Sequence, residues 1–338
     1  MRIVIIRLDH LGDTLLCTPM IRSLAKAGHE VHLVLAEQSA PIFMGNPHVS
    51  VVTSIGHIDP DFPGKWWRLG RWLRQQRFDA LLLPYAAEPR LLFASLMSGI
   101  PTRIAMWSRV LGRLTFHTCL RSRIMENPRC FADIMLDLSR FLGAAPDGVH
   151  LDLFVPEAVD EWARKTLDDK FRGGRVVGIH PGCGGSACNL PPDAYGKVAD
   201  LVLSDDRCVV VVTGAQAEKG LLAQWPAQVM RSPRLWNAMG ELSLHRLAAV
   251  IKRMDVYVVP STGPLHVANW AGTTTVSPFC AYPSLSAAVW GNNNGRGVTL
   301  APSKEYCVNR RRHEGHCDFM GQLGAETVYR EVRRSLQR

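Results

Sequence analysis

An α/β architecture with two parallel-sheet domains is the class this sequence predicts, and three observations predict it. Short apolar or β-branched runs recur along the chain, each followed by a stretch of helical period. The rhythm breaks off in a segment rich in Pro and Gly and then restarts. The turns that leave the apolar runs carry Gly, Asp, Ser and Thr, the residue types suited to the carboxyl ends of strands, where open parallel sheets bind ligands. The length of 338 residues suits two cores of about 150 residues better than one.

The first half opens on Ile3 to Ile6, a four-residue apolar run that reads as a buried parallel strand. Thr14 to Ala27 reads as a helix with Leu16, Met20 and Leu24 on one face, and Pro19 inside it predicts a local bend. Between them lies Arg7-Leu8-Asp9-His10-Leu11-Gly12-Asp13-Thr14. A carboxylate at such a loop, beside a glycine that lets backbone come close, can take a proton from a substrate hydroxyl. Asp13 is equally well placed to cap the helix. Val31 to Leu35 and Ala80 to Leu83 read as further strands. The linker falls within 145–175, where Pro146, Gly148, Pro156, Gly173 and Gly174 cluster around a helical stretch, Val159 to Leu167. The domains are accordingly placed at 1–156 and 157–321.

The second half restarts with Val176 to Ile179, then the turn His180-Pro181-Gly182-Cys183-Gly184-Gly185-Ser186. Exposed backbone N–H groups in such a loop can approach a diphosphate, although the spacing is neither GxGxxG nor GxxxxGK[ST]. Val209 to Val212 is a nearly pure β-branched strand leading to Thr213-Gly214 and Glu218, a carboxylate at the distance to hold ribose hydroxyls or simply to face solvent. Val256 to Val259 leads to Ser261-Thr262-Gly263-Pro264-Leu265-His266, where a helix start presents backbone N–H groups and a hydroxyl. A plain capped helix would look the same.

Composition narrows the function classes. Hydrophobic residues at 47% and charged ones at 20% fit a globular protein and exclude a disordered one. No apolar run reaches 18 residues and the opening one is too short for a signal peptide, so no membrane span or leader is expected. Nine cysteines without a CxxC pair fit free thiols in a reducing cytoplasm. The net charge of +9 is concentrated: Lys65 to Arg129 holds 12 Lys/Arg against Asp79, Glu88 and Glu126. Within it, Lys65 to Arg77 is a basic, tryptophan-rich stretch of helical character. Such a stretch suits an anionic glycolipid or membrane surface; a solvated helix and nucleic acid are the competing readings.

The loop from Arg7 to Asp13, His180-Pro181-Gly182, Thr213-Gly214 with Glu218, Ser261 to His266, the Asn237 to Val259 stretch and the helix near Glu326 to Leu336 together resemble glycosyltransferase family 9, which contains the ADP-heptose:lipopolysaccharide heptosyltransferases. The resemblance implies a GT-B fold: two Rossmann-like domains with parallel sheets facing a cleft, acceptor on the first and nucleotide-sugar on the second. It also implies that the closing helix, 322–338, joins the first domain. By the same resemblance the chain is a cytoplasmic enzyme, free or peripheral at the inner membrane. It moves a heptose or related sugar from ADP-heptose or a similar donor to a lipopolysaccharide core or other glycan acceptor, with inversion and with neither metal nor cofactor. Asp13 resembles the general base. Gly12, Gly182, Cys183, Cys188, Glu218, Leu242, Ser261, Thr262, Gly263, Pro264 and His266 fall on the donor side, Glu218 at the ribose, Leu242 at the adenine and Thr262, Gly263 and His266 at the diphosphate. Lys65, Arg68, Arg71, Arg121 and Arg123 are the expected cations for an anionic acceptor, and nucleic acid is not expected as a partner.

Two departures stand out. Cys188 occupies the position where the family usually carries Lys or Arg, a cation that would neutralise the departing diphosphate. Losing a charge-assisted contact of that kind costs about 1.5–3 kcal/mol. Ser261 replaces a frequent Asp, and serine can still cap the helix. A relative with another donor or acceptor, or a nucleotide-binding homologue with weak turnover, is the alternative these departures motivate. Cys307, His313, His316 and Cys317 could hold a metal, but their spacing is not that of a zinc site, and Arg310 to Arg312 between them fit a basic surface loop.

Overall fold

Ile3, Val4, Ile5 and Ile6 are all buried, so the strand that carries them, β1 (Arg2–Arg7), needs neighbours on both edges and cover on both faces. A computed structural model of the chain, which describes residues 1–61, 65–84, 89–106, 116–120, 126–291, 295–307 and 323–337, supplies both. The chain forms two units, Met1–Phe154 and Val155–Arg338.

In the first unit β1 is followed by α1 (Leu11–Leu15), α2 (Thr18–Lys26), β2 (Glu30–Leu35) and a 3-10 turn, Glu37–Phe43. Next come β3 (Val51–Ser54), α3 (Ile55–Ile58), α4 (Trp66–Gln76), β4 (Ala80–Leu83), α5 (Pro89–Ser98), β5 (Thr102–Met106) and β6 (Thr118–Leu120). The strands form one parallel sheet in the order β3-β2-β1-β4-β5-β6, with Ile3 opposite both Val31 and Ala80. That order places a topological switch point between β1 and β4.

The single helix expected over Thr14 to Ala27 is two helices. The chain breaks at Leu16 and Cys17, and Pro19 sits in the first turn of α2, where the missing N–H costs nothing, instead of bending a helix interior. Leu16, Met20 and Leu24 are nonetheless all fully buried. From α2 the buried Arg22 reaches the stretch after the helix Phe131–Arg140. Its guanidinium pairs with Asp147 and Asp152 and donates to the carbonyls of Asp147, Gly148 and His150. Five acceptors satisfy the fork of donors, so the end of the first unit is tied to α2.

In the second unit the helix Glu157–Phe171 precedes β7 (Arg175–Ile179), and β8 (Cys208–Val212), β9 (Leu235–Asn237), β10 (Val256–Val258), β11 (Thr275–Pro278) and β12 (Gly297–Leu300) follow. All pair in parallel, in the order β12-β11-β10-β7-β8-β9. Counted from its own first strand, this sheet is wound like the first, and its switch point lies between β7 and β10. The closing helix Ala325–Leu336 buries Val328 and Val332 in the core of this second unit, beside the helix Pro192–Leu203. The expectation that it joins the first domain is therefore corrected: its apolar stripe of Val328, Val332 and Leu336 matches the second sheet's cover. Among the described residues no helix is long and apolar enough to cross a membrane.

Candidate functional site

The loop leaving β1 gathers three charged groups. Arg7, the last residue of the strand, is buried with its guanidinium against the Phe131 ring. One of its terminal nitrogens lies 3.2 Å from Asp9 and 3.3 Å from Asp13. Asp13 does not cap α1: His10 is the N-cap, and Asp13 stands in the first turn, where the helix dipole favours a negative charge. Burial pushes the Asp13 carboxyl above the ordinary range, while the Arg7 charge pulls it back. The result is a half-buried carboxylate that is more basic than one in water, with a cation beside it. Gly12 beside it is buried within α1. Behind it Cys17, whose thiol donates to the Asp13 carbonyl, has its pKa raised to about 12 by burial and is inert as a nucleophile.

In the second unit, the loops after β7 and β8 are stitched together by Glu218. One carboxylate oxygen accepts the Gly184 N–H (3.2 Å) and the other the Ala215 N–H (2.9 Å). Glu218 lies so close over Gly182 that a β-carbon there would stand 2.1 Å from its Oε1. Only glycine fits. Gly184 and Gly185 adopt φ of 54° and 75°, which frees the loop to turn its backbone outward. These residues, with Pro181, Cys183, Asn189 and Leu221, line an open pocket of about 420 Å³. That is a size suited to a nucleotide-like ligand.

Below the pocket a buried polar chain crosses the sheet. His180 Nδ1 is 2.9 Å from the Thr213 hydroxyl, which is 2.7 Å from the Tyr257 hydroxyl. Burial lowers the His180 pKa to about 4, so the ring is neutral. Thr213 and Tyr257 are partners that the sequence reading did not assign, and only the β7-β8-β10 pairing brings them together. Asn189 is a third residue it missed. Its side chain accepts from the Leu190 N–H and the Tyr195 hydroxyl and donates to the Pro181 carbonyl, fixing the pocket wall. Cys188, by contrast, packs at the margin of the hydrophobic core.

The turn after β10 leads into the helix Gly263–Ala271, whose N-cap is Thr262 and not Ser261. Pro264 occupies the first turn. His266 is buried, its pKa is lowered to about 4 by burial, and its Nδ1 has no partner among the described residues. Leu242 is half-buried just before the helix Leu244–Ile251. On the cationic side, Arg68 is tied to Asp59 and Asp61, Lys65 to Asp61, and Arg71 is exposed. Arg121 and Arg123 lie outside the described residues, as do His313, His316 and Cys317 of the basic loop.

Comparison with known proteins adds a family and a fold. The family described as glycosyltransferase family 9 (heptosyltransferase) matches residues 66–317. A lipooligosaccharide heptosyltransferase 2 of Campylobacter jejuni subsp. jejuni serotype O:6 is 23% identical over 165 residues, covering 48% of this chain and 52% of that protein. The chain thus spans about half the length of the curated relatives it matches. A family 9 glycosyl transferase from Veillonella parvula superimposes with a TM-score of 0.79 at 20% identity, over 99% of this chain and 97% of that one. The ADP-heptose lps heptosyltransferase II of E. coli does so with a TM-score of 0.78 at 17% identity, over 100% and 99%. Both likenesses are of fold: this chain has the GT-B architecture of these structures.

Proposed function

Because the chain belongs to glycosyltransferase family 9, the heptosyltransferase family, we propose that it transfers a heptose or related sugar from ADP-heptose or a similar nucleotide-sugar to an anionic glycolipid or other glycan acceptor of the lipooligosaccharide kind. The transfer inverts the anomeric carbon and uses no metal. The observation that carries this reading is Asp13, a half-buried carboxylate held by Arg7 at the carboxyl end of β1. Support for the donor comes from the glycine-walled pocket under Glu218, and from the donor and acceptor named for the relatives.

In the proposed reaction Asp13 accepts the proton of the acceptor hydroxyl as that oxygen bonds to the anomeric carbon. The bond from that carbon to the diphosphate oxygen breaks, and the negative charge passes to the departing nucleoside diphosphate. A base placed in this way contributes about 10²–10⁴-fold to the rate. The backbone N–H groups at Gly263 and the glycine loop, the Thr262 hydroxyl and the orphaned His266 nitrogen offset the leaving charge. Glu218 holds the ribose and Leu242 borders the base, while Lys65, Arg68 and Arg71 serve the acceptor.

Asp13→Asn tests the assignment, since it keeps the shape and removes the basicity. Transfer should fall by at least about 100-fold, while ADP binding by calorimetry stays at the wild-type value. Transfer at the wild-type rate would refute the base. Failure of ADP to raise the melting temperature would refute the nucleotide-sugar donor.

A further inference from the structure

We infer that Asp9 is a positioning residue for Asp13: it shares the Arg7 guanidinium, keeps that cation from being committed to Asp13 alone, and so leaves the base able to take the acceptor's proton. The inference rests on the reading of Asp13 as the base. Arg7 closes β1 with its side chain 4% exposed and its guanidinium against the Phe131 ring, so it cannot swing toward one acid at the expense of the other. Both carboxylates meet it at the same terminal nitrogen, Asp9 at 3.2 Å and Asp13 at 3.3 Å. Asp9 has no capping duty, since His10 is the N-cap of α1, and among the described residues its ion pair is with Arg7. A carboxylate with no other task, placed on the cation of a second carboxylate, acts on that second group.

The reason is electrostatic. An arginine facing one carboxylate pairs with it as a fork and makes it a poorer base. A second carboxylate on the same nitrogen offsets that pull, and its like charge favours the protonated form of its neighbour. Burial is the largest influence raising the Asp13 pKa, Arg7 opposes it, and Asp9 opposes Arg7. The other charges around the loop act less or are engaged elsewhere. His10, exposed at the N-cap, draws the Asp13 pKa down by less than Asp9 raises it, and Cys17 is held as a neutral thiol. On the 3-10 turn packed against α1, the Glu37 carboxylate lies over Gly56. On the helix that carries Phe131, Asp133 is paired with Arg129.

Asp9→Asn tests this, because it keeps the shape and gives Arg7 to Asp13. The acid limb of the pH profile of kcat/KM should move to lower pH by at least about 0.5, and the plateau should fall at least about twofold as the base weakens. Asp9→Glu should restore most of both, and the melting temperature and ADP affinity of the variants should match the wild type. A second readout needs no turnover: in carboxyl carbon-13 NMR of the full chain labelled at aspartate, the Asp13 signal, identified by its loss in Asp13→Asn, should titrate at lower pH in Asp9→Asn. An Asp13 titration that stays in place or moves upward would overturn the inference, as would a lowered melting temperature with an unmoved limb. A downward NMR titration that the kinetic limb does not follow would uphold the sharing of Arg7 and remove Asp13 as the base, which separates the two readings.

Discussion

The basicity of Asp13 is set by two opposed neighbours, the low-dielectric surroundings that raise its pKa and the Arg7 cation that lowers it. Arg7→Met removes only the second. The carboxyl should then take its proton at higher pH, moving the acid limb of the pH profile of kcat/KM upward, with Arg7→Lys restoring it in large part. An unmoved limb would mean that Arg7 does not tune the base. Gly182 supports a separate prediction. A methyl there has to displace the Glu218 carboxylate, a movable side-chain tip, so Gly182→Ala should fold with nearly the native melting temperature and lose ADP affinity in calorimetry. Retained affinity would detach Glu218 from the nucleotide. The place of Asp13 close behind the first strand was legible in the sequence, although as a loop residue and not one in the first turn of α1. Arg7 as its partner was not, because its burial beneath Phe131 depends on a helix more than a hundred residues away.

Among the elements, the reading recovered β2, β1 and β4 in one sheet and β10, β7 and β8 in the other, the three strands around the switch point of each. Strands covered on both faces must be apolar throughout and announce themselves as runs. β5 and β11 escaped although each is paired on both edges, because polar and proline residues interrupt the apolar run: β5 is Thr-Arg-Ile-Ala-Met and the fully buried β11 is Thr-Val-Ser-Pro. The basic stretch from Lys65 was read correctly as helical, but its partnership with α5 through Gly70 carries no sequence signature. The Arg22 anchor on α2 was equally silent, since an arginine within a helix ordinarily faces water. Arg22→Met leaves Asp152 and several carbonyls without their donor, and should cost about 3 kcal/mol in urea unfolding. A loss below about 0.5 kcal/mol would mean that the network adds nothing beyond a surface pair.

For the whole molecule, His180 and His266 link stability to pH. Both are neutral when folded, with pKa near 4 in place of the ordinary 6.5. Above 6.5 neither state binds the proton and the groups contribute nothing. As pH falls below 6.5 the unfolded chain takes up protons that the folded chain refuses, so stability declines until about pH 4 and then levels off. Each histidine accounts for about 3 kcal/mol of that decline. Urea titrations across this range should show it, and His266→Asn should remove roughly half of the effect ascribed to the pair; an unchanged curve would contradict the burial argument. The two-unit plan and the family were readable from the order of the loop motifs, whereas the seat of the closing helix was not, because an amphipathic stripe does not name the sheet it covers. The pocket wall has a consequence for how such a protein changes over generations. Pro181, Gly182, Gly184 and Gly185 present main chain, which no point substitution can rewrite and which nearly every larger residue would disrupt. A shift in ligand preference must therefore arise at the few flanking positions with substantial side chains, Asn189 and Leu221 among them, while the glycine arc is inherited unaltered.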